Sequence, residues 1–302
     1  MRSLAVSQFL QHIFSGFTVG SIYAMVAIGF NMVYSTTGIL NFAQGEFVML
    51  GGMTAITYSR YMPLPVAVAA AILTVMLVGC ALEVLFFRRL RHPTVLQMII
   101  ITIGLALVIR ETALHIWDEK PRSLPYFTGS EVSSVRVLGA GISPQVFWVL
   151  GTVAVVVIVL HLFFRRTLTG RAMRACASNP DAAMLAGINT GRMRTLSFAI
   201  SAAVGALGGC VISPIAMTQY DDGVSLAIKG FAAAVLGGLG HHLAAVAGGL
   251  LVGLAESFSV YFGLPAAYKD ATAFAILLLV LFVCPRGLFG GRSAVQLGDK
   301  TC

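Results

Sequence analysis

The sequence has few charged residues for its length. Of its 302 residues, 11% are Asp, Glu, Lys or Arg, whereas a typical soluble domain carries about 25%. Hydrophobic residues make up 58% of the chain. A soluble fold could not bury so much apolar side chain, and a disordered chain requires low hydrophobicity. The composition therefore predicts a protein that crosses the lipid bilayer several times.

The sequence also lacks the motifs of metal sites, nucleotide sites and common hydrolases. Its five cysteines form no C-x-x-C pair, so neither a zinc site nor a structural disulfide is expected. No G-x-x-x-x-G-K-[ST], H-E-x-x-H or G-x-S-x-G motif occurs. The net charge is +8, but the basic residues form no separate domain that could bind nucleic acid. We therefore expect no metal, no cofactor, no nucleic-acid partner and no enzymatic activity.

Long apolar runs indicate where the chain crosses the membrane. The runs are 9–34, 42–58, 65–87, 94–117, 144–164, 195–217, 225–239, 243–262 and 267–284. Most are long enough to cross about 30 Å of hydrocarbon as helices, but 42–58 and 225–239 are short. The pattern predicts an all-α, polytopic transmembrane helical bundle. We expect it to form one transmembrane domain over residues 1–302, with eight or nine crossings and two short helices broken at glycines.

The distribution of basic residues predicts the orientation. Lys and Arg are concentrated at 88–91, 165–194 and 286–300, whereas the loop 118–136 mixes both signs. By the positive-inside rule, the basic group is cytoplasmic. Nine crossings then place the N-terminus outside. If 42–58 only dips into the membrane, there are eight crossings and the N-terminus is inside.

Small residues recur at helix-packing spacing in several runs. The three sets are Gly16, Gly20 and Ala24, then Gly205 and Gly209, then Gly249 and Gly253. Lipid tails are as apolar as leucine, so helices in a membrane associate through close backbone contact and not through the hydrophobic effect. These sets therefore predict a compact bundle with closely packed helices.

The loop 165–194 encodes a short helix. Asn179 is a good N-cap, Pro180 suits the first helical position, and Gly187 is a typical stop. The candidate residues of this element are Asn179, Pro180, Asp181, Ala182, Ala183 and Gly187. A helix of about two turns is unstable alone in water. We therefore expect it to pack against its own chain, the bilayer surface or a partner protein.

Polar residues at the start of the run 42–58 are candidates for a translocation path. Asn41, Gln44 and Glu46 lie within N-F-A-Q-G-E, and an ionisable group at membrane depth is a functional candidate. Gly45 would allow a broken helix whose freed backbone lines a cavity. The alternatives are a gate or path element and a hydrogen-bonded lock between helices.

A second short run, 225–239, contains two further path candidates. Gly237 and Gly238 interrupt its apolar sequence. Two short, glycine-broken runs in the two halves of the chain match a repeat with discontinuous helices at its centre. The sequence identity between the halves is too weak to establish the repeat.

Three segments resemble permeases of ATP-binding-cassette (ABC) importers. D-A-A-x-x-x-G at 181–187 resembles the EAA-x-x-x-G coupling loop, and 174–189 looks like that loop in LivH-type permeases for branched-chain amino acids. The segment 20–53 resembles their first span and N-F-A-H-G-E signature, with Gln44 in place of His. The segment 229–257 resembles their glycine-rich penultimate region.

This resemblance implies the permease subunit of an ATP-driven importer in the bacterial inner membrane. The implied cargo is a branched-chain amino acid delivered by a periplasmic binding protein. The implied partners are two cytoplasmic ATPase subunits and a second related permease subunit, with 165–194 as the cytoplasmic coupling loop. Two alternatives are an ABC permease for urea or short amides and an ATP-independent secondary transporter.

Overall fold

The computed structural model describes residues 2–90, 94–130, 133–137, 140–283 and 287–288. The helices are α1 (Arg2–Thr37), α2 (Gln44–Tyr58), α3 (Leu64–Leu82), α4 (Val95–Trp117), α5 (Pro144–Arg166), α6 (Leu168–Ser178), α7 (Pro180–Leu185), α8 (Thr190–Ile212), α9 (Asp222–Gly237), α10 (His242–Tyr261) and α11 (Lys269–Val283). The basic residues Arg91, Arg286, Arg292 and Lys300, which contribute to the predicted orientation, lie outside the described residues.

Short elements complete the fold. A π-helical turn, Glu83–Phe87, extends α3, and a 3-10 turn, Ala266–Tyr268, precedes α11. The strands β1 (Val135–Val137) and β2 (Ala140–Ile142) form an antiparallel hairpin in the connection between α4 and α5. The described part of the chain is otherwise a bundle of helices, in agreement with the predicted helical membrane protein.

Seven helices among the described residues are long and apolar enough to span a membrane, namely α1, α3 with its π-helical turn, α4, α5, α8, α10 and α11 with its 3-10 turn. Every apolar run of the sequence forms a helix, but α2 and α9 have only 15 and 16 residues. At 1.5 Å per residue these two helices measure about 23 and 24 Å, less than the hydrocarbon thickness of about 30 Å. The predicted eight or nine crossings are therefore not confirmed.

Contacts between helix termini define two ends of the bundle. One end carries residues 165–194, and we call it the segment end. Arg194 Nε lies 2.6 Å from Glu83 Oε1, which brings the start of α8 to the end of α3 at this segment end. At the other end, Trp117 Nε1 donates a hydrogen bond of 2.7 Å to Thr57 Oγ1 and joins α4 to α2. We call this the opposite end.

The closest helix packing occurs where the small-residue sets meet. A Cβ on Gly253 of α10 would clash with the backbone of Gly20 on α1. One turn away, a Cβ on Gly249 would clash with the backbone of Ala24. No larger side chain fits between these two backbones, so α1 and α10 gain continuous van der Waals contact. The prediction of close helix packing is confirmed for this pair.

Replacing Gly253 with valine is expected to destabilise the bundle. The added side chain must separate α1 from α10, and overpacking of this kind costs about 2 kcal/mol, which corresponds to a fall in Tm of about 5 °C. Thermal unfolding of the detergent-solubilised protein measures the change. Gly104→Val is the matched control, because nothing lies within 4 Å of a Cβ at Gly104 in the middle of α4. Equal Tm values for the two variants would contradict the packing account.

Candidate functional site

The two short helices lie at the centre of an inverted repeat. The series α1 to α4 and the series α8 to α11 each consist of a long helix, a short helix and two further candidate membrane spans, the last of which is α11 together with its preceding 3-10 turn. In this comparison α1 corresponds to α8, α2 to α9 and α3 to α10. The contacts correspond too: α1 packs on α10 and α8 packs on α3. The short helix α9 packs on α10 and α1, and the short helix α2 packs on α3 and α8. The two series run in opposite directions, because Ser197 near the start of α8 donates a hydrogen bond of 2.6 Å to Thr36 near the end of α1. The repeat that the sequence left open is therefore present in the fold.

The break before α2 lies earlier than the sequence indicated. Helix α1 ends at Thr37, Gly38 has φ +69°, and residues 38–43 are not helical. Glycine adopts this left-handed conformation without steric cost, so the chain leaves the helix there. Gly45 lies within the first turn of α2, and a Cβ on it would clash with the carbonyl oxygen of Gly223 on α9. Gly45 thus allows close helix packing and is not the site of the break.

Gln44 makes the contacts expected of a lock between helices, whereas Asn41 makes a local contact. Gln44 is fully buried, its Nε2 donates a hydrogen bond of 3.2 Å to the carbonyl of Ser201, and its Oε1 accepts one from the Ser201 hydroxyl. The missing side chain of Gly29 leaves the space that the Gln44 amide occupies. Asn41 Oδ1 accepts a hydrogen bond of 3.2 Å from Ala43 N. The bonds of Gln44 favour the lock for this residue. The Asn41 bond stays within residues 38–43, and its buried Nδ2 has no hydrogen-bond partner among the described residues.

Glu46 has a different environment. It is 1% exposed, and its Oε2 has no hydrogen-bond partner among the residues that the structure describes. The carboxyl lies in the first turn of α2 and would block a Cβ on Gly223, in the first turn of α9. A helix N-terminus carries partial positive charge, so two such termini meet at this carboxyl. The arrangement resembles the ends of discontinuous helices that surround ion and substrate sites in transporters.

Gly237 and Gly238 are not brought together with Glu46. They end α9, about 21 Å along the helix from Gly223. A Cβ on Gly237 would clash with the carbonyl of Ala244, so this glycine allows α9 to approach α10. Gly238 has φ +109°, a value open to glycine, and begins the turn into α10. Their surroundings indicate a role in packing and chain reversal.

A buried ion network on α9 was missed by sequence reasoning. Lys229 Nζ lies 2.6 Å from Asp270 Oδ1 on α11 and 3.3 Å from Glu256 Oε1 on α10. Glu256 Oε2 accepts a hydrogen bond of 2.7 Å from the Tyr23 hydroxyl on α1. Lys229 and Glu256 are 5% and 4% exposed, so loss of either partner would leave a buried charge. Lys229 and Glu256 within apolar runs were the sequence signals, but the sequence could not pair them, because they lie on different helices.

The short helix predicted within residues 165–194, which we call the coupling segment after its predicted role, is present as α7. Asn179 Oδ1 caps it by accepting a hydrogen bond of 3.0 Å from Ala182 N. At the other end, Gly187 has φ +82°, Gly187 N donates to Met184 O, and Ile188 N donates to Ala183 O, each over 3.0 Å. This pair of bonds is a Schellman motif, which ends a helix at a glycine. The local sequence therefore specifies both ends of α7.

Helix α6 forms the platform on which α7 rests. Thr167 Oγ1 caps α6 by accepting a hydrogen bond of 3.0 Å from Gly170 N. A Cβ on Gly170 would clash with the carbonyl of Phe163, so α6 folds directly back onto the end of α5. Met173 and Cys176 are buried, and burial raises the pKa of the Cys176 thiol, which therefore stays protonated at neutral pH. The coupling segment is a packed structure.

The exposed surface of α7 differs in one respect from the sequence expectation. Ala183 was expected to contact a partner, but it is 4% exposed because α7 packs this side against α6 and α8. Its side chain holds α7 in place against these helices, and its contact with a partner stays a prediction. Met184 and Leu185 are 52% and 92% exposed and form an apolar tip. The other candidate residues, Asn179, Pro180, Asp181, Ala182 and Gly187, are exposed beside this tip.

Comparison with known proteins agrees with the resemblance read from the sequence. Residues 12–281 match the family described as "Branched-chain amino acid transport system / permease component". The chain is 34% identical over 298 residues to the high-affinity branched-chain amino acid transport system permease protein LivH of Salmonella typhimurium, a match that covers 93% of this chain and 96% of the relative. It is 35% identical over 299 residues to BraD of Pseudomonas aeruginosa, which has the same description, with 94% and 97% covered.

A more distant relative extends the comparison to another organism. The probable branched-chain amino acid transport permease protein LivH of Methanocaldococcus jannaschii is 26% identical over 289 residues, with 89% of each chain covered. These matches include both halves of the inverted repeat and the coupling segment. The chain therefore belongs to the branched-chain amino acid transport system permease family.

Proposed function

We propose that this protein is the permease subunit of an ATP-driven importer of branched-chain amino acids in the bacterial inner membrane. The observation that carries this proposal is the exposed apolar tip of α7, Met184 and Leu185, at the arginine-rich segment end of the bundle. The names of the relatives favour branched-chain amino acids over urea or short amides. The permease itself performs no bond chemistry. It works with two cytoplasmic ATPase subunits, a second related permease subunit and a periplasmic binding protein.

Arginines around the coupling segment support a cytoplasmic position for α7. They are Arg165, Arg166, Arg171, Arg174, Arg192 and Arg194, and basic loops remain on the cytoplasmic side. Met184 and Leu185 then face the cytosol, where exposed apolar side chains indicate a protein contact. The ATPases grip this tip, and ATP binding shifts the bundle between outward-open and inward-open states. Coupling requires that the tip makes different contacts in the two states.

Replacing Leu185 with glutamate is expected to abolish uptake without loss of the folded permease. Leu185 is 92% exposed, so the change does not affect the core, but it places a charge in an apolar contact. We expect ATP-driven leucine uptake into proteoliposomes to fall at least about tenfold, since a tenfold weaker contact corresponds to only about 1.4 kcal/mol. Co-purification of the ATPase measures the contact directly and should fall in parallel.

The matched control at this position is Leu185→Met, which keeps an apolar side chain and should retain uptake. Normal uptake and normal ATPase binding in Leu185→Glu would contradict docking at the tip. Ala183→Arg is a poor test, because Ala183 is buried against α6 and α8. Its substitution would disturb α7 whether or not a partner binds there.

Glu46 is proposed as the polar element of the translocation path. Its unpaired, buried carboxyl oxygen and the two helix N-termini that meet beside it support this role. A lock would be expected to have both carboxyl oxygens paired. Movement of α2 relative to α9 would change the charge environment of this carboxyl and could open or close the path.

Glu46→Gln is expected to lower leucine uptake about tenfold while the yield and Tm of the permease remain unchanged. Glutamine has nearly the same shape but carries no charge, so a lower uptake rate reports the role of the carboxylate. Glu111→Gln is the control, because the side chain of Glu111 is 53% exposed on α4. Unimpaired uptake in Glu46→Gln would leave only a structural role for Glu46, and loss of the folded protein would indicate a lock.

A further inference from the structure

A cavity of about 230 Å³ lies between α1, α2, α8 and α9. Its rim includes Met217, which is 64% exposed, and the exposed Lys269 at the start of α11, so the cavity opens toward the opposite end. Apolar side chains form much of its wall, among them Val19, Ile22, Val48, Met49, Ile212 and Leu226. Since a cavity of roughly 150 Å³ can hold benzene, this one has room for a small amino acid.

One face of α9 supplies charged groups of both signs to this cavity. Asp222, Ser225, Leu226 and Lys229 all line it, and their spacing of i, i+3, i+4 and i+7 places them on a single helix face. Asp222 and Lys229 are two helical turns apart, about 10 Å along the axis. The cavity thus offers an acid, a base and an apolar wall, the groups that complement the two charges and the hydrocarbon chain of an amino acid.

Both charged groups retain capacity for a ligand. Asp222 Oδ2 accepts one hydrogen bond of 2.7 Å from Gln219 N, and a carboxylate can accept several more. Lys229 Nζ has three donors, of which one is hydrogen-bonded to Asp270 Oδ1, while Glu256 Oε1 lies 3.3 Å away as an ion pair. The side chain of Asp270 is 47% exposed, so a ligand carboxylate could also take its place. Lys229 thus remains able to bind a carboxylate from the cavity.

We propose that this cavity binds the transported amino acid as a zwitterion. The ammonium group contacts Asp222, the carboxylate contacts Lys229, and the branched side chain lies against the apolar wall. The proposal rests on the proposed function and specifies where the permease itself holds its substrate. It also assigns the permease a role in recognition, through the spacing of the two charges on α9.

Ligand-induced stabilisation of the assembled permease–ATPase complex, without binding protein, tests this site. A ligand that binds the folded state raises its Tm in proportion to the logarithm of concentration at saturation. Leucine should raise the Tm of the wild-type complex. Leucinamide, which lacks the carboxylate, and 4-methylpentanoate, which lacks the ammonium, should each require at least about ten times the concentration, because each lacks one of the two charged contacts that leucine would make.

Asp222→Asn should weaken leucine binding at least about tenfold and leave 4-methylpentanoate binding unchanged, because that ligand has no ammonium. Asp221→Asn is the matched control, because Asp221 is exposed and does not line the cavity. Leu226→Trp fills the cavity and should remove the leucine response. Lys229 is not replaced, since that change would leave Glu256 buried without a cation.

The outcomes separate this proposal from the proposed function. If the wild-type complex imports leucine with its binding protein but Asp222→Asn and Asp221→Asn bind leucine alike, the cavity site is wrong and the importer assignment stands. If leucinamide and 4-methylpentanoate bind as well as leucine, recognition of the zwitterion is wrong. If the complete wild-type system imports no leucine, the proposed function and this site both fail.

Discussion

Backbone amide and carbonyl groups cannot remain unpaired in hydrocarbon, and this constraint determines the architecture of the bundle. Helices α2 and α9 are shorter than the hydrocarbon thickness, and the chain before α2 is not helical over residues 38–43. Their terminal groups must be enclosed by protein. The longer helices α1, α8 and α10 surround them, and glycines such as Gly20 and Gly253 let the backbones approach closely enough to do so.

Because the termini of α2 and α9 are enclosed by protein, polar groups lie at the centre of an otherwise apolar bundle. Glu46 lies where two helix N-termini meet, and the network around Lys229 lies on the next turns of α9. Helix α8 connects this centre to the coupling segment, since it begins beside α7 and contacts Gln44 through Ser201. A displacement of α7 can therefore reach the start of α2 along one continuous helix. This contact chain is the physical basis for the proposed coupling, which requires two distinct arrangements of the same elements.

The features that the sequence predicted well are local. The caps of α7 follow from Asn179 and Gly187, because capping depends on residues within one turn. Apolar runs located every described helix except α6 and α7, but they could not give the number of crossings, because two of the runs form helices of only 15 and 16 residues. The burial of Ala183 and the partners of Lys229 depend on other helices. Only the packed structure could show them.

The central claim is that this permease has no driving force of its own and moves substrate only when an ATPase acts on it. Leucine flux into proteoliposomes tests it most directly, with the purified chain alone compared with the complete system of second permease, ATPases, binding protein and ATP. We expect no flux through the chain alone under proton or sodium gradients, and ATP-dependent uptake in the complete system. Gradient-driven leucine uptake by the chain alone would contradict the account and identify a secondary transporter.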